Sequence, residues 1–246
     1  MFNNFLASLP FMTETRADMI VSAFLPMVKA GFLVSLPLAI ASFVIGMMIA
    51  VAVALVRIMP AGGIVRKILL KLVEFYISVI RGTPLLVQLV IVFYGLPSVG
   101  IYIDPIPAAI IGFSLNVGAY ASETIRAAIL SVPKGQWEAG FSIGMTYMQT
   151  FRRIVAPQAF RIVAPQAFRV AVPPLSNEFI GLFKNTSLAA VVTVTELFRV
   201  AQETANRTYD FLPVYIEAAL VYWCFCKVLF LIQARLEKRF DRYVAK

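Results

Sequence analysis

Uncharged apolar runs alternate with short charged stretches along this chain. Residues 30–56 carry no charged side chain, and neither do residues 82–103. A third run, 105–122, is uncharged and continues past Glu123 towards residue 129. Two weaker runs follow, 170–195 with Glu178 and Lys184, and 211–231 with Glu217 and Lys227. Each is long enough to cross a hydrocarbon core of about 30 Å as a helix. Backbone exposed to lipid must satisfy its own hydrogen bonds, and the period-two alternation of a membrane barrel is missing. The pattern therefore predicts an all-α integral membrane protein with five spans, 30–56, 82–103, 105–129, 170–195 and 211–231. Segment 1–29 mixes charge with apolar residues and is expected along the outer interface. Residues 241–246 form a tail.

Composition agrees with a lipid-facing chain. Of 246 residues, 60% are hydrophobic and 14% charged, against about half and a quarter in soluble domains. The chain has no histidine, which removes histidine bases and histidine-ligated metals. Cys224 and Cys226 stand two apart on an apolar run, on different helix faces, and read as small core residues rather than a bridge. No zinc-type spacing and no GxxxxGK phosphate loop occurs, so no metal or cofactor is expected on this chain. Residues 1–20 lack the basic start and small-residue cleavage site of a signal peptide and are expected to be retained.

A net charge of +9 suggests nucleic acid in a soluble protein, but here its distribution carries the information, and no nucleic-acid partner is expected. Segment 57–81 holds five basic residues, 126–169 six, and the chain from Lys227 onward six. Segment 96–108 holds none and 194–212 only Arg199 and Arg207. Positive charge gathers on cytoplasmic loops, which places the N-terminus outside and the C-terminus in the cytoplasm.

The connection 130–169 is too long for a turn, and long ordered loops are usually functional. Pro133 suits the first turn of a helix and Gly144 a left-handed residue just past its end. Thr146 to Gln149 carries the Thr-x-x-Gln pattern of a capping box, which predicts a second helix. The two helices present Trp137, Phe141, Ile143, Met145, Tyr147, Met148 and Phe151 beside Arg152 and Arg153. Such a set suits either docking of a partner or packing under the membrane domain.

Glu138-Ala139-Gly140, then Gly144, then Ile154 and Ala156-Pro157 resembles the cytoplasmic "EAA" loop of ABC-importer permeases. That pattern reads E-A-A, three residues, G, nine residues, I-x-L-P. Gly140 and Ala156 depart from it. The stretches from Tyr76 through Arg81-Gly-Thr-Pro84 to Gln88, from Asn116 to Arg126, and from Lys184 to Leu188 are similar to permeases of the polar amino-acid uptake family. The texture around 94–111 and 134–137 is similar to cystine-type members. The resemblance covers roughly 29–240. It implies a type I permease core in a bacterial inner membrane, with Glu138, Ala139, Gly140, Gly144, Met145, Arg152 and Pro157 coupling it to a separate ATPase that binds the ATP. It also implies a second permease subunit, identical or paralogous, and an extracytoplasmic binding protein that delivers a polar amino acid, with cystine a candidate.

One feature departs from the family. RIVAPQAF occurs at 153–160 and again at 161–168. If helical, eight extra residues add about 12 Å and turn the chain by roughly 80°. Pro157 and Pro165 argue against one unbroken helix. The expectation is that the extra copy loops out or extends the cytoplasmic helix.

Polar groups inside spans are candidates for the substrate path. They are Asn116, Tyr120, Glu123, Arg126, Asn177, Glu178, Lys184, Asn185, Thr186 and Ser187. Glu123 and Arg126, three apart, share a helix face and read either as path residues or as a structural ion pair. Lys184 to Ser187 offers donors to a carboxylate or holds a bend. Arg81-Gly-Thr-Pro84 reads as the start of the second span, with Pro84 in its first turn. The rival function is an ion-coupled secondary amino-acid transporter, which takes up substrate without an ATPase. A membrane enzyme is disfavoured by scattered carboxylates and the absence of histidine.

Overall fold

A computed structural model describes residues 13–59, 63–130, 134–155 and 163–244. Among these, every regular element is helical. In chain order they are α1 (Glu14–Ala30), α2 (Leu36–Ile58), α3 (Ile64–Gly82), α4 (Leu85–Val90), α5 (Pro105–Leu130), α6 (Lys134–Ser142), α7 (Tyr147–Thr150), α8 (Val163–Asn185), α9 (Leu197–Thr208) and α10 (Phe211–Val244). Pro133 and Pro157 lie outside the described residues, as does most of the first RIVAPQAF copy.

The boundary expected at residue 29 is not structural. Thr13 caps α1 through its hydroxyl, which accepts from the Arg16 N–H. The helix then continues through a π turn, Gly31–Ser35, into α2. Thr15–Ile58 is one 44-residue helical run, long and apolar enough to cross a membrane. Lys29 marks a change of polarity, and a single charged residue does not stop a helix whose neighbours are good formers.

The segment between Arg57 and Arg81, read as a basic loop, contains the 19-residue α3. The signal was present: Ile64, Ile68, Leu72, Phe75 and Val79 recur at helical spacing between the basic residues. The expected span 82–103 is shorter as helix. It begins at Leu85 as α4 and passes through a π turn, Ile91–Gly95, and a 3₁₀ turn, Leu96–Val99. Pro84 precedes this helix rather than lying inside it. Thr83, the residue before proline, is extended at φ −125° and ψ 148°, the conformation that the proline ring imposes. Ile64–Gly82 and Leu85–Val99 are long and apolar enough to span only when taken together.

Later boundaries shift too. Helix α8 begins at Val163, inside the second RIVAPQAF copy, and passes through Pro173 and Pro174. Pro165 is its third residue, in the first turn where a missing N–H costs no helical bond. The α-helix ends at Asn185 and tightens into a 3₁₀ stretch, Thr186–Val192. Segment 194–212, read as a loop, contains α9. The last helix, α10, runs to Val244, so the expected tail is largely helical. Phe211–Lys238 is the other run long and apolar enough to span.

The chain forms two compact units. One comprises the described residues of Met1–Ser42, Leu86–Phe113 and Ile180–Leu229. Within it lies an aromatic cluster. The Phe183 ring lies 5.8 Å from Tyr222 and 5.4 Å from Phe225, and Phe225 meets Phe32 at 4.7 Å. The Gly31 position admits that ring, because a Cβ there would stand 2.8 Å from Phe225. Arg16 forms an ion pair with Asp210, which ties α1 to the turn after α9. Cys226 is buried and Cys224 exposed, so they do face different ways, but only Cys226 is a core residue.

The other unit comprises the described residues of Phe43–Leu85, Ser114–Phe179 and Phe230–Lys246. Here α2, α3 and α5 approach closely. The Tyr76 hydroxyl donates to the Leu115 carbonyl at 2.6 Å. A Cβ on Gly118 would meet that hydroxyl at 2.7 Å and Ile49 at 2.6 Å. Small residues allow such approach in membrane helices, where packing rather than water exclusion drives association.

Candidate coupling surface and charged cluster

Helix α6 ends in a Schellman motif. The Gly144 N–H bonds the Phe141 carbonyl at 2.9 Å, and the Met145 N–H bonds the Gly140 carbonyl at 3.1 Å. Gly144 has φ +77°, in the region expected from the sequence. The capping box is also present: the Thr146 hydroxyl accepts from the Gln149 N–H, and the Gln149 side chain accepts from the Thr146 N–H. Helix α7 is short and passes into a π turn, Phe151–Val155. Gly144→Ala should cost about 1 kcal/mol by forcing a Cβ into left-handed backbone. We expect roughly fivefold faster hydrogen exchange at the Met145 amide; unchanged exchange would count against the strain.

The loop's apolar residues divide. Trp137 stacks on Tyr147 at 4.8 Å and on Phe151 at 6.3 Å, so these three hold α6 to α7 and the turn after it. Phe141, Ile143 and Met148 remain exposed. Some of these side chains thus pack the loop on itself and others stay exposed. Glu138, Ala139, Arg152 and Arg153 are also exposed, Met145 is half-buried, and Gly140 is buried. Burial pushes the Tyr147 phenol above its usual range.

Gly140 lies against Thr150. A Cβ there would come within 2.8 Å of the Thr150 hydroxyl and closer still to its methyl. The departure from the family pattern, which has alanine here, is thereby explained: Thr150 occupies the space of the alanine methyl.

The loop is joined to the end of α2. The Tyr147 hydroxyl donates to the Ile58 carbonyl at 2.8 Å, and Arg66 donates to the Met59 carbonyl at 2.7 Å. These satisfy carbonyls that a helix C-terminus leaves without partners. The residue before Ile58, Arg57, reaches Glu123 at 2.5 Å, and Arg126 pairs with the same carboxylate. The expected Glu123–Arg126 pair is therefore a triad. Sequence reading missed Arg57, whose only signal was its place at the end of the first uncharged run.

The other nominated path residues fall in different places. The Arg81 guanidinium carbon lies over the Tyr120 ring, 5.1 Å from its centroid. Asn116 is half-buried one turn earlier on α5. Asn177 accepts from Gln233 at 3.4 Å, and Glu178 is half-buried. Lys184 and Asn185 are exposed. The Thr186 and Ser187 hydroxyls bond back to the Phe183 and Lys184 carbonyls at 2.7 and 2.9 Å. These two hydroxyls bond back where the α-helix ends. Glu196, not singled out from the sequence, is fully buried. It accepts from the Tyr222 hydroxyl at 2.8 Å, the Arg199 N–H at 2.7 Å and the Ser35 hydroxyl at 3.4 Å.

Residues 58–242 match the family model for the binding-protein-dependent transport system inner membrane component. The chain belongs to that family, and it is an amino-acid ABC importer permease, a transport subunit rather than an enzyme. It is 51% identical over 247 aligned positions, the whole of both chains, to the L-cystine transport system permease protein TcyB of Bacillus subtilis (strain 168). It is 37% identical over 166 residues, 67% of this chain and 72% of the relative, to the glutamine transport system permease protein GlnP of Escherichia coli (strain K12). The fold is similar to the crystal structure of an amino acid ABC transporter with histidines. There the TM-score is 0.75 and the identity 30%, over 89% of this chain and 96% of that one.

Proposed function

We propose that this chain forms the membrane path through which an ATP-driven importer moves L-cystine. The observation that carries the substrate is the 51% identity to TcyB across both full lengths. Two permease subunits, two copies of this chain or this chain and a paralogue, line the path in five spans each. The N-terminus lies outside and the C-terminus in the cytoplasm. A binding protein delivers cystine on the outer side.

The ATPase docks on α6 and α7. Glu138 and the exposed Phe141, Ile143 and Met148 make the contact. Trp137, Tyr147 and Phe151 keep the two short helices moving as one body. The hydrogen bond from Tyr147 to Ile58 passes that motion to the end of α2, and the adjoining Arg57–Glu123–Arg126 triad passes it to α5. Rigid-body rocking then alternates access, with ATP binding biasing one of two states.

The test is ATP hydrolysis by the complex in proteoliposomes. Cystine-loaded binding protein should stimulate hydrolysis, and Glu138→Ala should abolish the stimulation or prevent assembly. Normal stimulation in Glu138→Ala would remove the docking role. Cystine uptake without the ATPase would overturn the importer reading.

A further inference from the structure

We propose that Arg81, laid over the Tyr120 ring, binds the carboxylate of the transported amino acid. This rests on the reading of the chain as an amino-acid path. Arg81 lies in the last turn of α3, immediately before the break at Thr83-Pro84. Its guanidinium carbon stands 5.1 Å from the Tyr120 centroid, within cation–π range. Both side chains are exposed. Among the described residues no carboxylate pairs with Arg81. The acid one turn further along α5, Glu123, is already held by Arg57 and Arg126.

The placement is rigid. Tyr76, five residues before Arg81, is pinned to the Leu115 carbonyl. Gly118 leaves room for the Tyr76 hydroxyl. The contact between α3 and α5 is thus fixed within one or two turns of both Arg81 and Tyr120. A cation–π contact uses none of the guanidinium N–H groups, whose fork geometry takes a carboxylate through two hydrogen bonds. The ligand is an α-amino acid carboxylate, approaching along the exposed side of Tyr120.

The experiment measures binding of radiolabelled L-cystine to the complete importer, without binding protein, in phosphatidylcholine nanodiscs. Unlabelled cystine should compete, and cystamine, which lacks both carboxylates, should not. Arg81→Gln should weaken binding by about 10- to 100-fold, the loss expected for a charge-assisted pair. Arg81→Lys, which keeps the charge and loses the fork, should fall between. Competition by cystamine equal to that by cystine would overturn the proposal with no variant needed, even if Arg81→Gln fails to assemble. Unchanged affinity in an assembled Arg81→Gln complex would overturn it too. A loss that appears only when phosphatidylglycerol is added would assign Arg81 to a lipid phosphate instead. If the wild-type importer neither binds nor transports an amino acid, the substrate reading itself fails, before any variant is compared.

Discussion

Gly140→Ala should uncouple ATP hydrolysis from substrate delivery, and Thr150→Ala in the same chain should restore coupling. The added methyl meets the Thr150 hydroxyl at 2.8 Å and its methyl more closely, well inside ordinary contact. One of the two helices must shift. Overpacking of this kind costs about 1–3 kcal/mol, and a loop of two short helices has little other packing to absorb it. The Thr150 hydroxyl is buried with no hydrogen-bond partner among the described residues, so Thr150→Ala removes crowding without orphaning a donor. The Thr150 Cβ remains, 3.1 Å from the new methyl. Stimulated hydrolysis should fall by about tenfold in Gly140→Ala and return to near wild type in the double variant, a coupling expected only of residues in contact. Equal activity of Gly140→Ala and wild type would show that the space is not needed. A double variant as poor as the single would assign the loss to something other than Thr150.

That prediction needed the structure, although its elements were legible. The capping box at Thr146 and the left-handed Gly144 were readable because both depend on local backbone chemistry, and local chemistry is written in adjacent residues. The Glu123–Arg126 pair was readable because three residues separate them on one helix. Arg57, which completes that pair, and Thr150, which sets Gly140, were not, because each contact crosses between segments that no spacing rule connects. Helix α3 was obscured for another reason. Its basic residues satisfied the orientation rule so well that the apolar stripe between them went unread. The break between α3 and α4 and the uninterrupted Thr15–Ile58 run show the same limit. Polarity marks where a chain changes solvent, whereas helices end where backbone geometry ends them, as at Thr83-Pro84.

Glu196→Ala should produce the largest loss of stability of any single truncation outside the coupling loop. The carboxylate is fully buried and joins three parts of one unit. It caps α9 through the Arg199 N–H, accepts from Tyr222 on α10, and accepts from Ser35 in the π turn that follows α1. The Ser35 hydroxyl oxygen in turn accepts from the Leu197 N–H at 3.2 Å. The π turn is part of this arrangement: Ser35, its last residue, is buried where it reaches Glu196, and single π turns within α-helices commonly occur at such sites. Alanine removes a helix cap, about 1 kcal/mol, and takes the acceptor from the hydroxyls of buried Ser35 and half-buried Tyr222, about 1–3 kcal/mol each. A net loss of about 3 kcal/mol is expected after relaxation, or roughly 6–12 °C in Tm for a chain of this size. Glutamine keeps the volume but sets an NH₂ against donors, because its amide has one acceptor oxygen where the carboxylate has two. It should therefore lose roughly half as much. Thermal unfolding in nanodiscs, followed by circular dichroism, measures both. A wild-type Tm in Glu196→Ala would show that the three elements are held by the Phe183–Tyr222–Phe225 aromatic packing alone. Equal losses for alanine and glutamine would show that the second carboxylate oxygen, the one receiving Tyr222 and Ser35, carries the stability.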